Sequence, residues 1–292
     1  MKKQLGFCIL TFIICFAHAK PSTAQHAVSV VSYDAGATPA AGFTTVPAAL
    51  GEPTRFTGVG AFSGAVTLFN PPYLNGEIVS IGEGGQLTLR LSHYVLPQAG
   101  GPHLGVFTNA GFIETSFPNG QAGTPVGTFG VDSAIVEVSE NGLQWESLGP
   151  RTFDIPTNGY TDLVSPFSDT PGSVESSFLT PFGGTLSDFD GLQYAPDMLT
   201  LLAGSGGGTW LDLSGTGLTQ VGYVRFSVHD DGEDGTSLNF ELDGVSISRV
   251  SLGTSTVPEP GMVVLGAVGL WLAAMGTRGK LSRKRRVVSS RL

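Results

Sequence analysis

Cysteine is almost absent from this 292-residue chain: Cys8 and Cys15 are the only two, and both sit in an apolar N-terminal run. Everything after position 15 is therefore without disulfides, thiolate metal ligands or a cysteine nucleophile. Cations are nearly as scarce in the body of the chain. Between residues 25 and 256 the basic side chains are Arg55, Arg90, Arg151, Arg225 and Arg249, set against 23 carboxylates, a net charge of −18. The whole-chain value of −9 hides this, because seven positive charges crowd residues 278–292. So acidic a surface repels nucleic acid and anionic lipid, which excludes a nucleic-acid partner, and it attracts divalent cations. It also keeps an extracellular protein soluble without any specific cation role.

Catalytic constellations are missing as well. His26, His93, His103 and His229 are not paired at metal-ligand spacing. Gly58-Val59-Gly60-Ala61-Phe62-Ser63 lacks the third glycine of a dinucleotide loop, no phosphate loop occurs, and Ser205 lacks the glycine two positions earlier that a nucleophile elbow needs. A glycosidase requires two carboxylates about 5 to 10 Å apart, and 23 acids supply such a pair by chance alone. The reading is therefore non-enzymatic.

Two long apolar runs stand at the ends of the chain. Lys2 and Lys3 precede Leu5 to Phe16 and then Ala17-His18-Ala19, the layout of a secretory signal peptide cut after Ala19 or after Ala24. No cysteine follows either cut, so lipidation is not expected. At the other end, Gly261 to Gly276 carries no charge. Sixteen helical residues reach about 24 Å, short of a hydrocarbon core of about 30 Å unless the flanks snorkel. Arg278, Lys280, Arg283, Lys284, Arg285, Arg286 and Arg291 follow, and basic flanks stay on the cytoplasmic side. A single transmembrane helix over 261–277 with a cytoplasmic tail over 278–292 is expected, and the residues before Val257 lie outside.

Val257-Pro258-Glu259-Pro260, the short apolar span and the basic end together resemble the PEP-CTERM sorting signal of Gram-negative bacteria, the motif itself being Pro258, Glu259 and Pro260. The resemblance covers residues 257 to about 286. It implies an exosortase-type membrane protease as partner. The protein would be anchored in the inner membrane in transit, then released to the cell surface or an extracellular polysaccharide matrix. The plain alternative is an ordinary single-pass anchor behind a proline-containing linker.

The 230 or so residues between the ends are long enough for one large β domain. Glycine is abundant, 42 of 292 residues, and helical periodicity is missing outside the two apolar ends. Alternation recurs instead. Leu87, Leu89 and Leu91 alternate with Thr88 and Arg90, and Ala134, Val136 and Val138 form one face of a strand. Asn141-Gly142 then suits a type I′ turn before Leu143 and Trp145, whose phase places Trp145 in the core. Val224, Phe226 and Val228 form one more strand and Leu238, Phe240 and Leu242 another, with an acidic turn joining the two as a hairpin. The expected fold is all-β, a two-sheet antiparallel sandwich of the jelly-roll kind over residues 25–253, followed by a linker over 254–260.

Residues 84–89, 106–112 and 136–145 resemble stretches of galactose-binding-like sandwiches, the third echoing the valine–serine–turn–glycine–tryptophan hairpin of discoidin-like domains. His103 stands where that family would be expected to carry an aspartate, so no cation role transfers to this loop.

Two candidate sites remain. Asp230-Asp231-Gly232-Glu233-Asp234-Gly235, with Glu241 further on, places Asp230, Asp234 and Glu241 at positions 1, 5 and 12 of an EF-hand-like count. Position 3 is Gly232 and the flanks are strand-like, so an EF-hand proper is excluded; a calcium loop using Asp230, Asp231, Asp234 and Glu241 stands beside a solvated charged turn. Residues 146–220 read as long loops, glycine-rich at 183–184 and 204–208, either a plain surface or a ligand cleft. Among Tyr73, Trp145, Tyr160, Tyr194 and Trp210, the exposed platform for a sugar ring is Trp210. A surface protein that binds exopolysaccharide is thus the preferred function. A secreted carbohydrate-active hydrolase with its site in the 146–220 loops is the alternative.

Overall fold

Alternating apolar side chains drive the chain into strands. The computed structural model describes residues 25–58, 63–97, 101–229 and 239–259 and is mainly β. In chain order the strands are β1 (Ala27–Asp34), β2 (Phe56–Thr57), β3 (Gly64–Ala65), β4 (Val79–Gly82), β5 (Gln86–Val95), β6 (Leu104–Thr108) and β7 (Gly111–Glu114), then β8 (Ala122–Phe129), β9 (Asp132–Ser139), β10 (Glu146–Phe153), β11 (Thr209–Leu211), β12 (Val221–Ser227), β13 (Asn239–Ile247) and β14 (Leu252–Thr256). The α-helix among the described residues, α1 (Leu199–Leu202), is a single turn. No described helix is long and apolar enough to cross a membrane. The expected signal peptide over 1–24, Pro260, the apolar run 261–277 and the basic tail 278–292 lie outside the described residues.

Two larger antiparallel sheets carry the fold. A six-stranded sheet runs β1-β5-β12-β9-β10, with β14 also paired to β5, and a four-stranded sheet runs β11-β6-β13-β4. β2 pairs with β3 and β7 with β8 in two small sheets. One hydrophobic cluster draws on both larger sheets. Leu87, Leu89 and Leu91 of β5, Val136 and Val138 of β9, and Val224 and Phe226 of β12 contribute from the first; Val106 of β6, Ile81 of β4, and Phe240, Leu242, Val245 and Ile247 of β13 contribute from the second. All of these are buried. Phe226 and Phe240 meet across the core with ring centroids 5.2 Å apart, and Phe153 of β10 stands 5.0 Å from Phe240. Each such ring pair adds about 0.5–1.5 kcal/mol beyond area burial, so the three rings tie the two sheets together.

The expected hairpin between the Val224 and Leu238 segments does not form. β12 lies between β5 and β9 in the six-stranded sheet, whereas β13 lies between β6 and β4 in the four-stranded one. The chain therefore changes sheets between them. Alternation fixed which side of each strand is apolar, and both sides face one core, but alternation does not choose a neighbour.

A second correction concerns the turn after β9. β9 and β10 do pair, with Glu146 opposite Val138, yet residues 140–145 form a longer loop in place of a two-residue turn. Ser139 Oγ accepts the N–H groups of Asn141 and Gly142, and Asn141 Oδ1 accepts those of Leu143 and Gln144. These side chains replace the ladder bonds of a tight hairpin. The extra residues cost Trp145 its phase. It is half-buried at the edge of the core cluster, and the Arg225 guanidinium lies 4.1 Å from its ring centroid while pairing with Glu137 at 2.7 Å.

Thr254, Ser255 and Thr256, expected to open a linker, belong to β14. Leu252 pairs with Val95 and Thr256 with His93 of β5.

The segment between β10 and β11 is irregular yet packed. Phe182, Phe189, Tyr194, Met198 and Leu202 from it join Leu68, Phe69, Phe112 and Val126 in a separate buried cluster. A buried polar knot pins it: Tyr194 Oη donates to Asn158 Oδ1 at 2.9 Å, Asn158 Nδ2 donates to Tyr160 O at 2.6 Å, and Arg55 Nη1 donates to Gly159 O at 2.7 Å. Each buried donor thereby avoids a desolvation cost of about 1–3 kcal/mol.

Candidate functional site

The two glycine-rich clusters of the irregular segment converge on one cleft. It has a volume of about 390 Å³, within the range of small-ligand sites, and Trp210 and Phe182 form its aromatic lining. Gly183, Gly184 and Gly208 also line it. Thr185, Thr209 and Asp154 supply its polar groups.

Trp210 is positioned by strand pairing. β11 runs antiparallel to β6 with Trp210 directly opposite Gly105, and the indole folds over that glycine: a Cβ there would stand 2.8 Å from Trp210 Cζ2. Phe107 meets the indole edge-on at 6.2 Å, and Nε1 donates to Gly207 O at 2.9 Å. Gly208, in the left-handed region at φ +72°, lets the backbone turn into β11, since a Cβ would stand 2.7 Å from the Phe107 ring. Trp210 is thus a fixed, half-buried wall of the cleft and not a free-standing exposed platform.

Asp154 is half-buried, and burial raises its carboxyl above the usual range while its own backbone N–H acts in the opposite direction. Thr209 Oγ1 is buried with no hydrogen-bond partner among the described residues. Thr185 is held by the turn that follows, where its N–H donates to Asp188 Oδ2 at 2.7 Å in a capping box. Asp154 is the ionisable side chain of the lining. An aromatic wall beside one carboxylate suits a neutral polyol ring, whose apolar face would pack on the aromatic wall and whose hydroxyls would meet Asp154.

A second cleft of about 350 Å³ opens beside β9, lined by Asp132, Ser133, His229 and Asn239 among others. Burial pushes the Asp132 carboxyl up to about 7, and Glu241 adds like-charge repulsion against the N–H that Glu241 donates to Asp132 Oδ2 at 2.9 Å. Glu241 accepts from Asn109 Nδ2, and burial raises its own carboxyl. Of the candidate calcium ligands, Glu241 is therefore turned towards Asn109 and Asp132, and Asp230, Asp231 and Asp234 lie outside the described residues. Among the described residues no group of three or more His, Cys, Asp or Glu is arranged to hold a metal.

Of the Pro258-Glu259-Pro260 stretch, Pro258 and Glu259 are described and rest against the six-stranded sheet. Arg278, Lys280, Arg283, Lys284, Arg285 and Arg286 lie outside the described residues. Sequence reasoning singled out Trp210 but not Asp154, Phe182 or Thr209, which are 28 to 56 positions away from it or adjacent without a motif. Their one legible signal was the pair of glycine clusters. No protein-family model matches the chain, and no curated protein matches it.

Proposed function

We propose that this chain is a non-enzymatic exported surface or matrix protein, processed through its Pro258-Glu259-Pro260 sorting signal by an exosortase-type membrane protease, whose Trp210 cleft binds neutral exopolysaccharide. The observation that carries the binding half is the indole of Trp210, fixed by its hydrogen bond to Gly207 O, lining a glycine-rich cleft beside Asp154. The sorting half rests on residues 257–292, where motif, apolar span and basic end follow one another. On this reading the two larger sheets form a jelly-roll sandwich, supported by the core they share. Calcium bound through Asp230, Asp231, Asp234 and Glu241 belongs to the same proposal, as a brace that offsets carboxylate repulsion in that loop.

The absence of cations from the cleft lining favours neutral over uronic-acid polymers, because an anionic sugar would meet Asp154 without a counter-charge. The test is native affinity electrophoresis of residues 25–259 through gels carrying neutral or acidic polysaccharides, with calcium present. Retardation by a neutral polymer, lost in Trp210→Ala, is expected. Equal migration in every gel would remove the binding half.

A further inference from the structure

The segment that leads into the sorting motif is held to the domain by three successive anchors. After β14 pairs with β5, Val257 is 2 % exposed; its N–H donates to Ser92 O at 3.2 Å, and a Cβ on Gly222 would stand 2.8 Å from its Cγ1. Pro258 O accepts the hydroxyl of Tyr223 at 2.9 Å. Glu259 forms an ion pair with Arg90 Nη2.

Arg90 is the common element. Its Nη1 donates to Val257 O at 2.8 Å and its Nε to Ser29 Oγ at 2.9 Å, so all three of its nitrogens are engaged. The side chain is 13 % exposed whereas that of Glu259 is 57 % exposed, so the pair is buried on the domain side and wet on the other. Arg90 lies on β5 directly opposite Tyr223 of β12, and a planar guanidinium with five donors can grip a carbonyl and a carboxylate at once. A carboxylate engaged in this way presents fewer lone pairs to another partner, and a segment tied to a sheet must detach before a protease can thread it.

We propose that Arg90 is a clamp: it holds Val257 and Glu259 against the six-stranded sheet, and the sorting motif becomes available to its processing enzyme only when Arg90 lets go. The inference rests on the sorting reading above and adds to it a gate built from the folded domain. Tyr223 is the auxiliary anchor. Processing would accordingly be slow on a fully docked tail and fast on one that has been pulled free.

Two measurements on the full-length chain test it. Hydrogen exchange in detergent micelles, read on peptides covering 252–259, should rise about fivefold or more in Arg90→Gln, with exchange in β9 unchanged. Tyr223→Phe, which keeps the buried ring and removes one hydroxyl, should give a smaller rise at the same peptides. In cells that contain the processing protease, loss of a C-terminal epitope tag followed by pulse-chase should be several-fold faster in Arg90→Gln and modestly faster in Tyr223→Phe. Unchanged exchange in both variants would overturn the clamp. Raised exchange with unchanged or slower processing would overturn the gate. A chain with Pro258, Glu259 and Pro260 all replaced by alanine separates the premise from the inference. If it is trimmed like wild type, the sorting reading falls, and the clamp is then judged by exchange alone.

Discussion

Replacing Asp243 by asparagine should flatten part of the pH dependence of stability. Asp243 lies on β13, 2 % exposed, and accepts the Thr54 N–H at 2.9 Å and the Thr54 hydroxyl at 2.8 Å. Burial pushes its carboxyl up to about 7 from 3.8; the Thr54 hydrogen bonds act against that, and the like charge of Glu77 reinforces it. Below about pH 4 the group is protonated in both states, and its stabilising contribution is fully present. As pH rises the unfolded chain releases the proton first, so stability declines until the folded carboxyl has titrated through about 7. One pH unit of difference is worth about 1.4 kcal/mol, so roughly three units give a ceiling of about 4 kcal/mol and, with relaxation around the buried charge, about 2–4 kcal/mol. D243N has no proton to lose. The assay is urea unfolding of residues 25–259, followed by tryptophan fluorescence, at intervals from about pH 4 to 8. The wild type should lose about 2–4 kcal/mol more than the variant across that range. Asp132 contributes a slope of the same sign, but it remains in both proteins and cancels in the comparison. Parallel curves would refute the argument, since they would mean that the charge at position 243 is not dehydrated by folding.

Trp210→Phe should keep an aromatic wall in the cleft but lose the indole hydrogen bond to Gly207 O and part of the packing over Gly105, costing about 1–2 kcal/mol in thermal unfolding. Trp210→Ala should in addition weaken polysaccharide retention about tenfold, or roughly 1.4 kcal/mol, in affinity electrophoresis; equal retention by the two variants would exclude the indole as the binding wall. Gly207→Ala should destabilise by about 2–4 kcal/mol in chemical unfolding, because φ is +72° there and a Cβ would stand 2.2 Å from Pro156 O. Calorimetry on the chelator-treated protein should show heat on calcium addition that Asp234→Asn reduces, and a flat trace would dispose of the calcium loop.

The strands were legible where one face alone is apolar. Leu87, Leu89 and Leu91, and likewise Val136 and Val138, alternate with polar residues because one side of each strand packs into the core and the other does not. The expectations for the two ends rest on linear patterns read one residue after another, and residues 1–24 and 260–292 lie outside the described structure. The glycine clusters pointed to loops, though not to where the loops meet.

Sequence by itself determined the mainly β character, the lack of cysteine after position 15, the acid excess and which face of each alternating strand is buried, since each depends on residue type or on spacing within one strand. Tertiary structure alone decided that β12 and β13 join different sheets, that Trp145 lies under Arg225 at the core's edge, and that Trp210 meets Asp154 and Phe182 in a cleft. It also decided that Arg90 reaches Glu259, 169 positions away. The physical reason is shared by all four. Hydrophobic burial is non-directional and tells a strand only which side to hide, whereas partners across a sheet or between loops are selected by packing, hydrogen-bond geometry and chain closure, which no local pattern records.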